Sequence, residues 1–118
     1  MGDTLLQLTV VGMKDRLLIA SDDDAYNDSL NNSGNEAIDY VNMRLKPYND
    51  SVTNDTTNKG ILIAITCDIG SGIFKRRHMP KDFDTEGWLK LGIQKLEQYI
   101  KDTYFKGRIY IVGEEEEG

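Results

Sequence analysis

Apolar residues recur along much of this chain at steps of three and four rather than two, a rhythm that predicts helices. From about Thr4 to Ala20, Leu5, Leu8 and Val11 or Gly12 keep that spacing, followed by Arg16 with Leu17 and Leu18. The run QLTVV inside this segment is β-prone, so a strand competes with the helix there. SDDDAY predicts the next helix start: Ser21 is a good N-cap, and Asp22, Asp23 and Asp24 fall where the positive end of a helix dipole favours anions. Beyond it, Tyr26, Leu30, Ala37, Val41, Leu45 and Tyr48 keep one side apolar, Ile38 widens the stripe, and Pro47 ends it.

Asn49 to Lys59 (NDSVTNDTTNK) is polar and rich in turn formers, so it reads as an exposed loop within one domain. A third segment runs from about Thr57 to His78. The acids and proline of HMPKDFDTEG then suit a stop followed by a new start, with Asp84 or Thr85 as cap and Glu86 in the first turn. In the last helix Leu89, Ile93, Leu96, Ile100 and Tyr104 form a clear amphipathic stripe flanked by Trp88 and Tyr99. Gly107 can stop that helix. Arg108 to Val112 (RIYIV) alternates as a short strand would, predicting a small hairpin or pairing with another chain. The run Glu114 to Glu117 is either a solvated tail or an acidic contact for a basic partner.

One stretch, ILIAITCDIGSGIFKRR (Ile61 to Arg77), supports two readings. As a strand, Ile61 to Cys67 would deliver Asp68 and the turn Gly70-Ser71-Gly72 to a phosphate. A dinucleotide fingerprint needs a third glycine and a later acid, and a P-loop needs Gly-Lys-Ser/Thr; only a GxG is present. As a helix, Leu62, Ile65, Ile69, Gly72, Ile73 and Arg76 follow the three-and-four rhythm, Ile61 and Phe74 broaden the buried face, and Ala64, Gly70, Ser71 and Gly72 are places where another helix can approach. Lys75, Arg76, Arg77 and His78 then lie in the last turn, complementing the negative end of the dipole. That basic cluster is either a helix terminus or an intersubunit partner for the Asp22 to Asp24 segment or the acidic tail.

Composition narrows the function. The chain has 118 residues, the size of one domain, and at 39% apolar and 29% charged it reads as a globular protein. Its longest apolar run is far shorter than the roughly 20 residues of a membrane span. The amino-terminal segment lacks the basic start and cleavage site of a signal peptide, so an intracellular origin is expected. The single cysteine, Cys67, reads as a packed small hydrophobe. The single histidine, His78, reads as a terminal or surface residue, and one His with one Cys gives little for a metal site. A net charge of -6 argues against sequence-specific nucleic-acid binding, which draws on Lys and Arg against phosphates.

Taken together, several phrases resemble the small helical head-tail connector, or adaptor, proteins of tailed phages and related viruses. They are DRLLIASDDDAYNDSL (Asp15 to Leu30), YVNMRL (Tyr40 to Leu45), CDIGSGIFKRRHMP and WLKLGIQKLEQYIKDTY, covering roughly Leu5 to Tyr104. Gly70 and Gly72 stand where that family more usually has alanine. The resemblance implies a virion protein of the neck region, assembled in the host cytoplasm as a ring beneath the portal, commonly of twelve copies. Such a ring extends the DNA channel and docks the next neck or tail protein; the DNA passes through without sequence-specific binding.

The expectation is therefore an all-α fold: a bundle of about four helices over residues 1–106, with a C-terminal strand or arm and acidic tail over 107–118. No catalytic residue, cofactor, metal or membrane is expected. The candidate interaction residues are Asp22, Asp23 and Asp24; Lys75, Arg76 and Arg77; and Arg108, Ile109, Tyr110, Ile111 and Val112. The competing expectation is a small α/β nucleotide-binding or accessory enzyme domain with Ile61 to Cys67 as central strand and Asp68 at its site. A general protein-interaction module would share the same helical pattern.

Overall fold

Helix α1 (Leu5–Leu17) begins with a reciprocal cap. The Thr4 hydroxyl accepts from the Gln7 amide at 3.1 Å, and the Gln7 side chain accepts from the Thr4 amide at 2.7 Å. The helix reading of this segment holds and the strand reading of QLTVV does not. The computed structural model describes residues 4–53, 56–78 and 87–105, the side chains of 56–59 excepted. Helix α1 ends at Leu18, held in the left-handed region at φ 61° while Ile19 N–H returns to the Lys14 carbonyl at 2.9 Å.

The expected helix start with Ser21 as N-cap is corrected: helix α2 (Asn27–Leu45) begins five residues later, with Tyr26 at its N-cap. The buried Lys14 accounts for the shift. Its ammonium donates to the carbonyls of Ser21 (3.1 Å) and Asp23 (2.9 Å), committing them to a turn. Within that turn the Asp23 carboxylate accepts from the Ala25 amide at 2.9 Å, the local bonding by which aspartate competes with helix. Beyond it the expected stripe is buried at Leu30, Ala37, Val41 and Leu45, joined by Ser33 and Gly34. Pro47 lies in a short 3-10 turn, Lys46–Tyr48, so α2 ends two residues before it.

The segment read as an exposed loop is partly a docked one. Val52 is buried, and its amide donates to the Asn42 side chain at 2.7 Å, pinning the connection to α2. Helix α3 (Thr56–His78) then takes in the last four residues of that expected loop.

Helix α3 settles the two-way stretch. Ile61 to Cys67 is helical, so the strand reading and the α/β alternative built on it are overturned. Its apolar residues are spread around the cylinder instead of forming one stripe, because α1, α2 and α4 (Gly87–Tyr104) all pack on it. Burial on several sides overrides the modest helix cost of β-branched residues. Leu62, Ile65, Cys67, Ile69 and Phe74 are buried, together with Thr66, whose hydroxyl donates to the Leu62 carbonyl at 2.7 Å. Two positions depart from expectation: Ile61 is 66% exposed, and Ala64 is exposed instead of sitting at a helix contact.

Helix α4 presents the expected face, with Leu96 and Ile100 buried and Leu89, Ile93 and Tyr104 half-buried. The bundle closes at its lower end with Tyr48 stacked on Tyr104 at 4.6 Å and the Tyr104 hydroxyl donating to Asp50. The proposed caps Asp84 and Thr85 lie outside the described residues, as do Arg108 to Val112 and Glu114 to Glu117. Among the described residues the fold is all-α, a four-helix bundle.

Small residues set the helix spacing. A Cβ on Gly72 would strike the Leu89 backbone, one on Gly12 the Cys67 sulfur, and one on Gly92 the Ile69 side chain at 2.6 Å. Gly70 faces the flexible Met13 thioether at 2.8 Å. Gly72→Ala is expected to lower stability by about 1–3 kcal/mol through overpacking against rigid backbone. Gly60→Ala, on the open side of the same helix, is expected to raise it by about 0.5–1 kcal/mol. Urea unfolding midpoints of the two variants check the contrast.

Candidate functional site

Asp68 is the polar centre of the bundle. It lies on the buried middle of α3 with its side chain only 1% exposed, where an unpaired carboxylate would be costly. Arg16 of α1 donates through Nε to Oδ1 at 2.5 Å, and Lys95 of α4 reaches Oδ2 at 3.2 Å. Arg16 also donates to the carbonyls of Gly12 (3.0 Å) and Ala64 (3.5 Å), and its guanidinium carbon lies 5.9 Å from the Trp88 ring centroid. One carboxylate therefore ties three helices together, its two oxygens taken by two cations. This arrangement fixes helix register; it has no nucleophile and base aligned on a common space.

Cys67, next along α3, donates weakly to the Thr9 carbonyl at 3.5 Å. Burial pushes its thiol up to about 11; the nearby Arg16 opposes the shift and Asp68 adds to it. The expectation of a packed cysteine holds. No group of three His, Cys, Asp or Glu able to hold a metal occurs among the described residues. No described helix is long and apolar enough to cross a membrane.

Those of the expected interaction residues that are described fall at one end of the bundle. Asp22, Asp23 and Asp24 occupy the turn between α1 and α2, and Lys75, Arg76 and Arg77 the last turn of α3. Tyr26 joins these regions by packing edge-on against Phe74, with ring centroids 5.7 Å apart. His78 lies exposed with its ring 4.6 Å from that of Phe74. Arg77 pairs with Glu36 of its own chain, an internal partner that the pattern did not reveal. Asp24 is engaged locally, accepting from the Asn27 side chain at 3.2 Å.

Two surface features add to this end of the molecule. Leu18 is 91% exposed, and the residues on either side of it are tied down: Lys14 holds the following turn, while Ile19 packs with Val10 and Leu17 against Met13, Leu30 and Phe74. The second is a groove of about 610 Å³ over α3, between α2 and α4. Ile69, Ile73, Leu89 and Ile93 form its apolar lining with Tyr40 and Met43; Glu36, Asp39, Arg76 and Arg77 form its charged rim. The Arg77–Glu36 pair lies at one end, and towards the other Arg44 pairs with Glu97, joining α2 to α4.

Lys14, Glu36, Lys95 and Glu97 were not among the residues singled out from the sequence, and the pairing of Arg16 with Asp68 was not foreseen. A signal for that pair existed: Arg16 falls within the apolar stripe of α1, and Asp68 interrupts the apolar run of α3, so each could compensate the other. No family model, curated protein or solved structure matches the chain.

Arg16→Met, which leaves Asp68 buried beside only the half-exposed Lys95, is expected to cost about 3–5 kcal/mol of unfolding free energy. Lys95→Met is expected to cost less than about 1 kcal/mol, and Arg16→Met combined with Asp68→Leu to recover most of the single-variant loss. For Cys67, a thiol raised from 9.0 to about 11 contributes stability that is present below 9.0 and lost as pH rises towards 11. At pH 8, native Cys67 is expected to react with iodoacetamide at least ~100-fold more slowly than in the unfolded chain, since two pKa units remove that much thiolate. Mass spectrometry of the alkylated protein measures the ratio.

Proposed function

We propose that this chain is a structural, non-enzymatic head-tail connector of a virion, working as a ring under the portal. In this reading it extends the DNA channel and docks the next neck or tail-completion protein. The observation that carries the proposal is the elbow at Leu18. A leucine in the left-handed region costs about 1–2 kcal/mol, and this one is also turned into water, 91% exposed. The backbone strain is offset in part by the cap bonds of Leu18 N–H to the Asp15 carbonyl (3.3 Å) and Ile19 N–H to the Lys14 carbonyl (2.9 Å), but among the described residues the side chain stays uncovered. Burial against a neighbouring subunit would return about 1.5–3 kcal/mol for such a side chain, and strain held beside a firmly anchored turn suits a contact made on assembly.

The elbow lies within DRLLIASDDDAYNDSL, one of the four phrases that carry the resemblance to connectors. A second exposed apolar residue, Ile61, lies towards the opposite end of α3, beside Ala64 and Tyr99 in a shallow groove. Head-to-tail rings need two unlike surfaces on each protomer, and the elbow and the Ile61 groove supply a candidate pair. The net charge of -6 suits a channel wall that repels the DNA backbone and lets the duplex slide.

Native mass spectrometry and electron microscopy of the protein mixed with its portal test the reading. The expected result is a closed ring on the portal, with Leu18→Gly keeping or raising the unfolding midpoint while weakening ring assembly roughly tenfold or more, as loss of a buried leucine implies. A protein that stays monomeric and ignores the portal would overturn it.

A further inference from the structure

We propose that the Leu18 elbow of one protomer seats in the groove between α2 and α4 of the next copy of this chain. The inference rests on the connector reading and names the two faces that meet in the ring.

The elbow presents apolar and acidic groups together. Leu18 is almost fully exposed. Asp15, one turn earlier on α1, and Asp22, in the turn that follows, are exposed too, and neither carboxylate has a hydrogen bond or ion pair among the described residues. Lys14 and Ile19 anchor the flanks, so the elbow meets a partner already ordered and little conformational entropy is lost on contact.

The groove answers both properties. Ile73, Leu89 and Ile93 line it together with Met43, which is 59% exposed and whose flexible thioether can shape itself to a leucine. Its α4 edge carries Lys90. That residue stands seven positions before Glu97, on the same face of the helix two turns away, and Glu97 faces α2 because it pairs with Arg44. Lys90 is exposed and has no bond or ion pair among the described residues. It lies one turn from Ile93, so a leucine seated over Ile93 brings an acid one turn along α1 within reach of its ammonium. The other cations of the groove, Arg76 and Arg77, are engaged within the protomer and are not needed. Asp39 on the α2 rim repels the acidic elbow, which turns Asp15 and Asp22 towards α4.

The smaller groove beside Ile61, about 440 Å³, is the poorer seat. Its two charged residues already have partners, Lys95 with Asp68 and Asp102 with Gln98, so it offers the elbow no unpaired cation. The groove between α2 and α4 is lined by α2, α3 and α4 and by no residue of α1. A protomer can therefore give its elbow to one neighbour and its groove to the other, as a closed head-to-tail ring requires.

Crosslinking tests the seat. Leu18→Cys and Met43→Cys chains are mixed in equal amounts, assembled with the portal and treated with a short bis-maleimide, the unsubstituted chain serving as control for the buried Cys67. The expected product is a pair holding one chain of each kind, with none from Leu18→Cys alone or from Leu18→Cys mixed with Ile61→Cys. Lys90→Glu is expected to weaken assembly about fivefold, and adding Asp15→Lys and Asp22→Lys to the same chain to restore it. A ring that forms without the Leu18–Met43 crosslink, a crosslink to Ile61→Cys in its place, or a charge swap that restores nothing overturns the proposed seat and leaves the connector reading standing. A chain that forms no ring with or without the portal overturns both.

Discussion

The Asp68 carboxylate, out of water in the middle of α3, imposes the constraint around which the other helices are arranged. A charge in that position is tolerated only if cations reach it, and they come from two different helices: Arg16 from α1 and Lys95 from α4. Arg16 is fixed by three acceptors and an indole face, whereas Lys95 is half in solvent. The two partners therefore do different work. The first sets how α1 crosses α3; the second completes the charge balance from α4. A slip of either helix by one residue would separate a buried carboxylate from its cations, a cost large enough to single out one register.

Close approach makes that geometry possible. Gly12, Gly72 and Gly92 allow neighbouring side chains and backbone into space that a methyl group would fill, and none of them is needed for an unusual backbone conformation. Only at this spacing can Arg16 reach past Gly12 to Asp68. The glycines of CDIGSG thus belong to helix packing, and the resemblance of that phrase to a phosphate turn was a resemblance of letters.

The charges left at the surface have a different character. Arg77–Glu36 and Arg44–Glu97 are exposed pairs, worth little each, but they join α2 to its neighbours on either side of the apolar groove. Leu18 is another departure from a quiet surface, an exposed side chain on a left-handed residue whose flanks are anchored. Both features sit where an assembling protein would be expected to meet a neighbour, and both bear on the proposed connector role without depending on catalysis.

Helix rhythm was legible wherever one face alone is buried. Leu89, Ile93, Leu96 and Ile100 define α4 plainly, and Leu30, Ala37, Val41 and Leu45 define α2, because a half-buried helix must repeat its apolar residues at the helical period. For α3 the same rule gave only an ambiguous answer, since a helix covered on several sides has no need of a stripe. The sequence by itself determined an all-α reading of these helices and a packed Cys67. Tertiary structure decided that Ile61 to Cys67 is helix, that α2 starts at Asn27, and that Asp68 is tied to Arg16 and Lys95. Each of those outcomes depends on a partner distant in sequence: the helices around α3, the Lys14 ammonium, and two cations 52 and 27 residues away. Local propensity has no knowledge of such partners.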